Sequence, residues 1–449
     1  MTEIINETKR GKVYFTDKNS LYLPAIAKAC NYDVKINSGY SIQQLLNDIL
    51  EYSPDYIVSN ISFELYKPQM EALARIKQLL PQSVIIVTGE PFLTYNMNVT
   101  YENPFISYAI IGEPEYTLRD ILEGIPDNEI LGICYTDDNM QAAKNSLRPF
   151  IENLDELPFP VRGNTNSCEI ELSRGCPHHC FFCIATPLRG NKTRYRSVNN
   201  IIEELLICIN EYNITNFVFK TDNFNINRDW CLELCKAIIE NNMKIKWSTN
   251  IQPQNIDNEL AKYMKKSGCT LCNIGIESGC AGILSNIEKN ITINDIKITI
   301  NILKRNKIKT NNCYILGLPW DSEESIKETI QMALCLDSDD VSFNLAIPYP
   351  GTKFFVYSMI NKLISGQIDF SNAHKEPVIR THKLSKEKLS ELRELAIKRY
   401  YARPKYLLKS ILTLDLKLFL KTAKLYFSGF NIKVRNKKNE NYTNQYQNK

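Results

Sequence analysis

Apolar and polar positions along the first quarter of the chain switch between two periods. Short β-rich runs at 12–16, 32–36, 56–60, 84–88 and 108–111 are separated by stretches with apolar residues at helical spacing, as at 42–51 and 68–80. Strand and helix patterns in alternation predict a parallel sheet wound on both faces, so residues 1–130 are expected to form one Rossmann-like α/β domain.

A linker is expected at 131–165, where Leu157-Pro-Phe-Pro-Val interrupts any regular pattern. A second alternation follows, with strand patterns at 169–172, 217–220, 245–248, 271–276, 312–316 and 341–347. Helical patterns fall between them at 200–212, 229–241, 257–267, 292–305 and 322–336. Six β/α units in so short a stretch are too few for a closed eight-fold barrel, which takes about 250 residues, and predict a partial (β/α)6 barrel over 166–370. Catalytic residues should then lie where strands end. Residues 371–435 read as helical and Lys-rich, and the polar stretch 436–449 is expected to be a disordered tail.

Composition adds limits. At 449 residues, 44% hydrophobic and 23% charged, the chain is long enough for about three domains and is neither a disulfide miniprotein nor wholly disordered. The net charge of +4 conceals a division: from His374 onward there are 19 Lys and Arg against 6 Asp and Glu, or +13, which leaves −9 for residues 1–373. Within that basic region, 407–427 has a broad apolar face with Lys409, Lys417, Lys421 and Lys424 dispersed along it. A barrel-capping helix with solvated charges is the expected reading, membrane-surface contact the alternative, and nucleic acid is disfavoured because no recognition motif accompanies the charge. No window reaches 18 uninterrupted apolar residues and the N-terminus lacks a signal-like apolar core, so a cytoplasmic protein is expected, its 14 cysteines reduced, buried or metal-bound.

Cysteine spacing carries the first chemistry. Ser173-Arg-Gly-Cys-Pro-His-His-Cys-Phe-Phe-Cys follows the first barrel strand and sets Cys176, Cys180 and Cys183 in a C-x3-C-x2-C pattern. Three close thiolates suit an iron–sulfur cluster with one iron left open, whereas a zinc knuckle would borrow His178 or His179. Cys208, Cys231, Cys235, Cys269, Cys272, Cys280, Cys313 and Cys335 are read as small core residues.

With Phe182 before its last cysteine, this loop resembles that of the radical SAM superfamily. The resemblance implies a [4Fe-4S] cluster on Cys176, Cys180 and Cys183 that S-adenosylmethionine (SAM) ligates, and reductive cleavage of SAM to a 5′-deoxyadenosyl radical. Four further strand-end segments are similar to the family's: Thr221-Asp-Asn-Phe, Gly275-Ile-Glu-Ser-Gly, Tyr314-Ile-Leu-Gly-Leu-Pro and Pro348-Tyr-Pro-Gly-Thr. They nominate Asp222 and Asn223 near the methionine amine, Glu277 with Ser278 at the ribose, and Gly317 against adenine. Taken singly, Asp222 and Asn223 are also turn residues, Glu277 a helix-end charge and Gly317 part of a tight strand exit. The absence of cysteine after Cys335 disfavours an auxiliary cluster.

An α/β domain before such a barrel resembles the cobalamin-dependent class of the superfamily. Ser53-Pro-Asp-Tyr-Ile-Val-Ser-Asn, Gly112-Glu-Pro-Glu-Tyr-Thr and the linker Asn153-Leu-Asp-Glu-Leu-Pro-Phe-Pro carry that likeness. The departures are Thr88-Gly-Glu-Pro-Phe, where relatives have a Gly-Gly-x-His-like turn, and a glycine-free first strand exit, Thr16-Asp-Lys-Asn-Ser. No histidine precedes His178, so protein imidazole on cobalt is excluded there. The resemblance implies cobalamin-dependent C-methylation of a small metabolite, lipid or peptide, with flavodoxin or ferredoxin as electron donor. The alternatives are a cobalamin-free radical dehydratase, epimerase or rearrangement enzyme, and a non-catalytic iron–sulfur sensor or scaffold.

Overall fold

The computed structural model describes residues 9–17, 21–37, 41–89, 99–137, 139–163, 165–366, 368–404 and 406. The first strand exit beyond Asp17, the turn after Gly89, the basic segment from 407 and the tail expected at 436–449 lie outside them.

The N-terminal sheet contains β1 (Lys12–Phe15), β2 (Asp33–Ile36), β3 (Tyr56–Ile61), β4 (Val84–Gly89), β5 (Tyr108–Ile110), β6 (Ile133–Thr136) and β7 (Ala142–Lys144). Its order is β2-β1-β3-β4-β5-β6-β7, parallel through β5 and antiparallel beyond. Side chains alternate across the sheet, which gives it two cores. Tyr14, Ile57, Ile85 and Val87 pack with Leu46, Ile49, Leu73 and Ile76 of helices Ile42–Tyr52 and Tyr66–Leu79. Val13, Phe15, Val58 and Ile86 face Leu23, Ile26, Leu118 and Ile121 of helices Leu23–Ala29 and Glu115–Glu123 on the other side. Such an order reverses between β1 and β3, where open α/β sheets form a ligand crevice at their carboxyl edge.

The expected linker at 131–165 needs correction, because its first part is sheet. β6 and β7 extend the N-terminal sheet to Lys144, with Ile133 and Cys134 fully buried. Both are short and separated by polar residues, so their burial comes from pairing with β5 rather than from a strong local pattern.

The second sheet contains β8 (Ser167–Glu171), then β11 (Asn216–Lys220), β12 (Lys246–Ile251), β13 (Cys269–Glu277), β14 (Lys309–Leu316) and β15 (Asp340–Leu345). The intervening β9 (Ser173–Arg174) and β10 (Arg194–Tyr195) form a separate antiparallel pair. All six sheet strands are parallel and lie in sequence order, with β8 and β15 at the open edges. Right-handed crossovers that always step the same way put every helix on one face. Phe217, Phe219, Trp247, Ile274, Ile276, Tyr314 and Phe343 fill the core beneath those helices. Lys220, Ser248, Asn250, Asn273, Asn311 and Ser342 alternate with them and point to the other, solvated face. Cys208, Cys231, Cys235, Cys269 and Cys272 are core residues, but Cys335 is exposed on its helix, against expectation.

Candidate active site

β9 and β10 pinch the chain into a loop that holds the three cysteines beyond the carboxyl end of β8. Gly175 opens it at φ +85°, where a Cβ would stand 2.3 Å from Lys192 O, so only glycine fits. Asp222 anchors the same point from the end of β11, its Oδ2 accepting the Gly175 N–H at 2.8 Å. Cys176 N–H donates to Gly190 O at 3.2 Å, and Phe181 N–H to Ile287 O at 2.9 Å. The Phe181 ring is buried against Trp320, Phe354 and Tyr357, with centroids 5.0, 5.6 and 5.7 Å away. Phe181 therefore seats the loop, a role its spacing did not suggest, while the motif's Phe182 is only partly buried.

Burial raises the pKa of Cys176 and Cys180 and pushes Cys183 up to about 11. As free thiols they would stay protonated; a bound metal would displace the protons. Among the described residues no three His, Cys, Asp or Glu side chains converge as they would round one metal ion. His179 is exposed, and His178 is held below its usual pKa by burial and by Lys289.

Glu277, the last residue of β13, has φ +67°, a left-handed conformation rare for a residue with a side chain. The register against β14 shifts at this point, and the buried carboxylate meets Lys289 with Nζ donating to Oε1 at 2.8 Å. Gly275 makes room for the pair, since a Cβ there would lie 2.7 Å from Glu277 Oε1 and 3.1 Å from Lys289 Nζ. Burial works against the Lys289 charge, but Glu277 and the neighbouring Cys180 and Cys183 outweigh it and raise its pKa. A buried cation thus stands beside the thiols. Nothing in the spacing of Glu277 and Lys289, twelve residues apart, signals it.

Asp222, Glu277 and the cysteines are therefore brought together. Asn223 is buried beside them, its Nδ2 donating to Gln252 Oε1 at 3.2 Å while Oδ1 has no partner among the described residues. Ser278 and Gly317 have local structural tasks. Ser278 Oγ lies 3.2 Å from Thr329 Oγ1 and accepts the Cys280 N–H. Gly317, at φ +94°, and Leu318 donate their N–H groups to Asp321 Oδ2, each at 3.0 Å. Burial pushes the Asp321 pKa up to about 6 despite those bonds.

The N-terminal domain closes over this edge at two places. Arg174, the residue before Gly175, is buried among Glu115 at 2.7 Å, Glu171 at 2.8 Å and Glu113 at 3.4 Å. Arg194 also binds Glu113, at 2.7 and 3.0 Å. Burial opposes the charge on Glu171, but Arg174 and Arg189 prevail and hold its pKa down at about 2. Between the sheets remains a cavity of about 180 Å³ whose walls include Asn60, Thr88, Gly89, Gly112, Glu115, Arg174 and Lys220. On the far side Phe63 packs on Tyr349 and Phe370, and Glu64 binds His374.

Residues 170–333 match the model of the radical SAM superfamily. An uncharacterised methyltransferase of Pyrococcus horikoshii is 28% identical over 410 residues, covering 87% of this chain and 88% of its own. The anaerobic magnesium-protoporphyrin IX monomethyl ester cyclase of Rubrivivax gelatinosus is 23% identical over 74% of this chain, which spans 64% of the cyclase. In fold the chain resembles the radical SAM methyltransferase TsrM of Kitasatospora setae, solved with cobalamin and a [4Fe-4S] cluster. The TM-score is 0.68 at 15% identity, covering 79% of this chain and 75% of TsrM.

Proposed function

We propose that this chain, whose residues 170–333 match the radical SAM superfamily and which is similar to an uncharacterised methyltransferase, is a cobalamin-dependent methyltransferase acting on carbon of a polar small molecule. The observation that carries the reading is the convergence of three strand-end features on one loop: the Cys176, Cys180 and Cys183 thiols, Asp222 tied to Gly175, and Glu277 paired with Lys289. Bound there, a [4Fe-4S] cluster and SAM would supply a 5′-deoxyadenosyl radical, and a corrinoid a transferable methyl group.

The chain's own residues have distinct tasks. Cys176, Cys180 and Cys183 would hold iron as thiolates, and the buried Lys289 would offset the negative charge they gather. Glu277, held in place by Lys289, would accept hydrogen bonds from the SAM ribose, and Asp222 with Asn223, whose Oδ1 has no partner among the described residues, would bind the methionine amine. Ser278 and Gly317 shape the loops that enclose these groups.

The wall of the cavity between the sheets carries groups suited to the periphery of a corrinoid. Gly112, at φ +85°, exits β5 with open space where a Cβ would stand, so backbone there can approach a bulky ligand. Glu115 Oε2, buried in the wall with no partner among the described residues, would serve as an acceptor for corrinoid amide groups. Across β12 to β15, Asn250, Asn273, Asn311 and Ser342 form a hydrogen-bonded row on the solvated face, at 3.0, 3.1 and 3.5 Å, which supports a polar substrate over a lipid.

The test is anaerobic cluster reconstitution with and without added cobalamin, followed by analysis of SAM products. A bound corrinoid lacking protein nitrogen coordination, with both 5′-deoxyadenosine and S-adenosylhomocysteine formed, is expected. A protein with no chromophore besides its cluster and 5′-deoxyadenosine alone would instead favour cobalamin-free radical chemistry, and no SAM turnover at all the sensor or scaffold.

A further inference from the structure

Helix Lys353–Ile360 lies directly on the cysteine loop: Phe354 N–H donates to Phe181 O at 3.0 Å, and the Phe354 and Tyr357 rings enclose that of Phe181. Its opposite face is apolar and bare. Val356, Met359 and Ile360 occur at i, i+3 and i+4 and are 54%, 56% and 74% exposed, so they form one stripe pointing to solvent. Met is a side chain suited to adaptable contact surfaces.

Basic residues lie at both ends of the helix. Lys353 begins the helix and Lys362 follows it, Arg380 Nη2 donates to Lys362 O, and Lys383 lies next to His382, which is bonded to Tyr357. Glu288, paired with Lys353, and Glu324, near Lys383, offset only part of this. An apolar centre with a basic rim is complementary to an acidic protein, and the rim charge would steer its approach.

Resting on the reading of Cys176, Cys180 and Cys183 as cluster ligands, we propose that this face is the docking surface for an acidic one-electron carrier protein of the flavodoxin class. Docked there, the carrier is separated from the cysteine loop by the thickness of one helix, about 10–12 Å. One electron passes from the reduced carrier to the iron–sulfur group; the carrier is oxidised by one electron, and no bond or proton is exchanged.

The experiment uses the full chain with its cluster reconstituted, and follows bleaching of the cluster absorbance by stopped flow with reduced flavodoxin or with dithionite. Met359→Glu/Ile360→Glu should slow reduction by flavodoxin at least tenfold and leave reduction by dithionite unchanged. Met359→Leu/Ile360→Leu should retain the wild-type rate, and Lys362→Glu should weaken the salt dependence of the flavodoxin reaction. Equal flavodoxin rates in wild type and the double Glu variant would overturn the proposal. So would unchanged rates accompanied by dissociation of a dimer, or by lost binding to anionic phosphatidylserine vesicles, which would assign the stripe to a second copy or to a membrane surface. If the wild-type protein yields no cluster that dithionite bleaches, the cluster reading itself fails, a result distinct from all of these.

Discussion

Lys289 and Glu277 form a buried ion pair at the end of β13, with Nζ and Oε1 2.8 Å apart and each side chain only 9% exposed. The pair joins two needs of the site: a carboxylate fixed in a left-handed backbone position and a cation beside the cysteine thiols. Neither residue would be tolerated there alone, because an unpartnered charge in that position has lost its water.

Removing the cation should expose this dependence. Lys289→Met is expected to destabilise the metal-free protein by about 3–5 kcal/mol, the usual cost of leaving one partner of a buried pair uncompensated. Adding Glu277→Gln should restore most of that loss. Urea unfolding of the single and double variants measures both, and a single variant as stable as wild type would mean that Glu277 is solvated.

Gly275→Ala tests the space that the pair occupies. The new Cβ would fall 2.7 Å from Glu277 Oε1, so the carboxylate must swing away from its present position. A loss of SAM affinity of about tenfold or more is expected, consistent with a charge-assisted hydrogen bond worth about 1.5–3 kcal/mol. Calorimetric SAM binding to the cluster-loaded protein gives the result, and an unchanged affinity would remove Glu277 from the SAM site.

Two buried carboxyl groups should give stability opposite slopes with pH. Glu171, depressed to about 2 from 4.5, contributes stability that is complete above its unfolded value and is lost as pH falls from about 4.5 toward 2. Asp321, raised to about 6 from 3.8, binds its proton more tightly in the folded state, so its contribution is present below 3.8 and declines as pH rises from about 4 through 6. A tenfold change in proton affinity corresponds to about 1.4 kcal/mol, so each group contributes roughly 3 kcal/mol. Denaturation of the metal-free protein between pH 3 and 8 should show a decline from pH 4 to 6 that Asp321→Asn abolishes.

Arg174→Met should loosen the junction of the two domains. It strips Glu113, Glu115 and Glu171 of a shared cation, and a loss of at least about 3 kcal/mol is expected. Glu115→Gln should cost no more than about 1 kcal/mol, since an amide oxygen can still accept from Arg174 and Oε2 has no partner to lose. Limited proteolysis near 145–163 together with urea unfolding separates domain release from global unfolding. Equal stability of Arg174→Met and wild type would deny the junction its role.

Much of the architecture is written in local pattern. Alternating apolar positions specify strands, 3.6-residue spacing specifies helices, and their regular succession specifies the parallel strands of both sheets. The cysteine spacing and the Gly-Ile-Glu-Ser segment are likewise contiguous, so the candidate residues could be picked out along the chain. Which distant residues meet is a property of the folded chain alone. Arg174 finds Glu115 across 59 positions, Lys289 returns to Glu277, and Phe181 finds the helix that begins at Lys353. β6 and β7 are strands because β5 offers an edge, and Cys335 is exposed because its helix turns that position outward. A side chain's period is set by its neighbours in sequence, whereas its partner is set by the path of the folded chain, which no single local segment records.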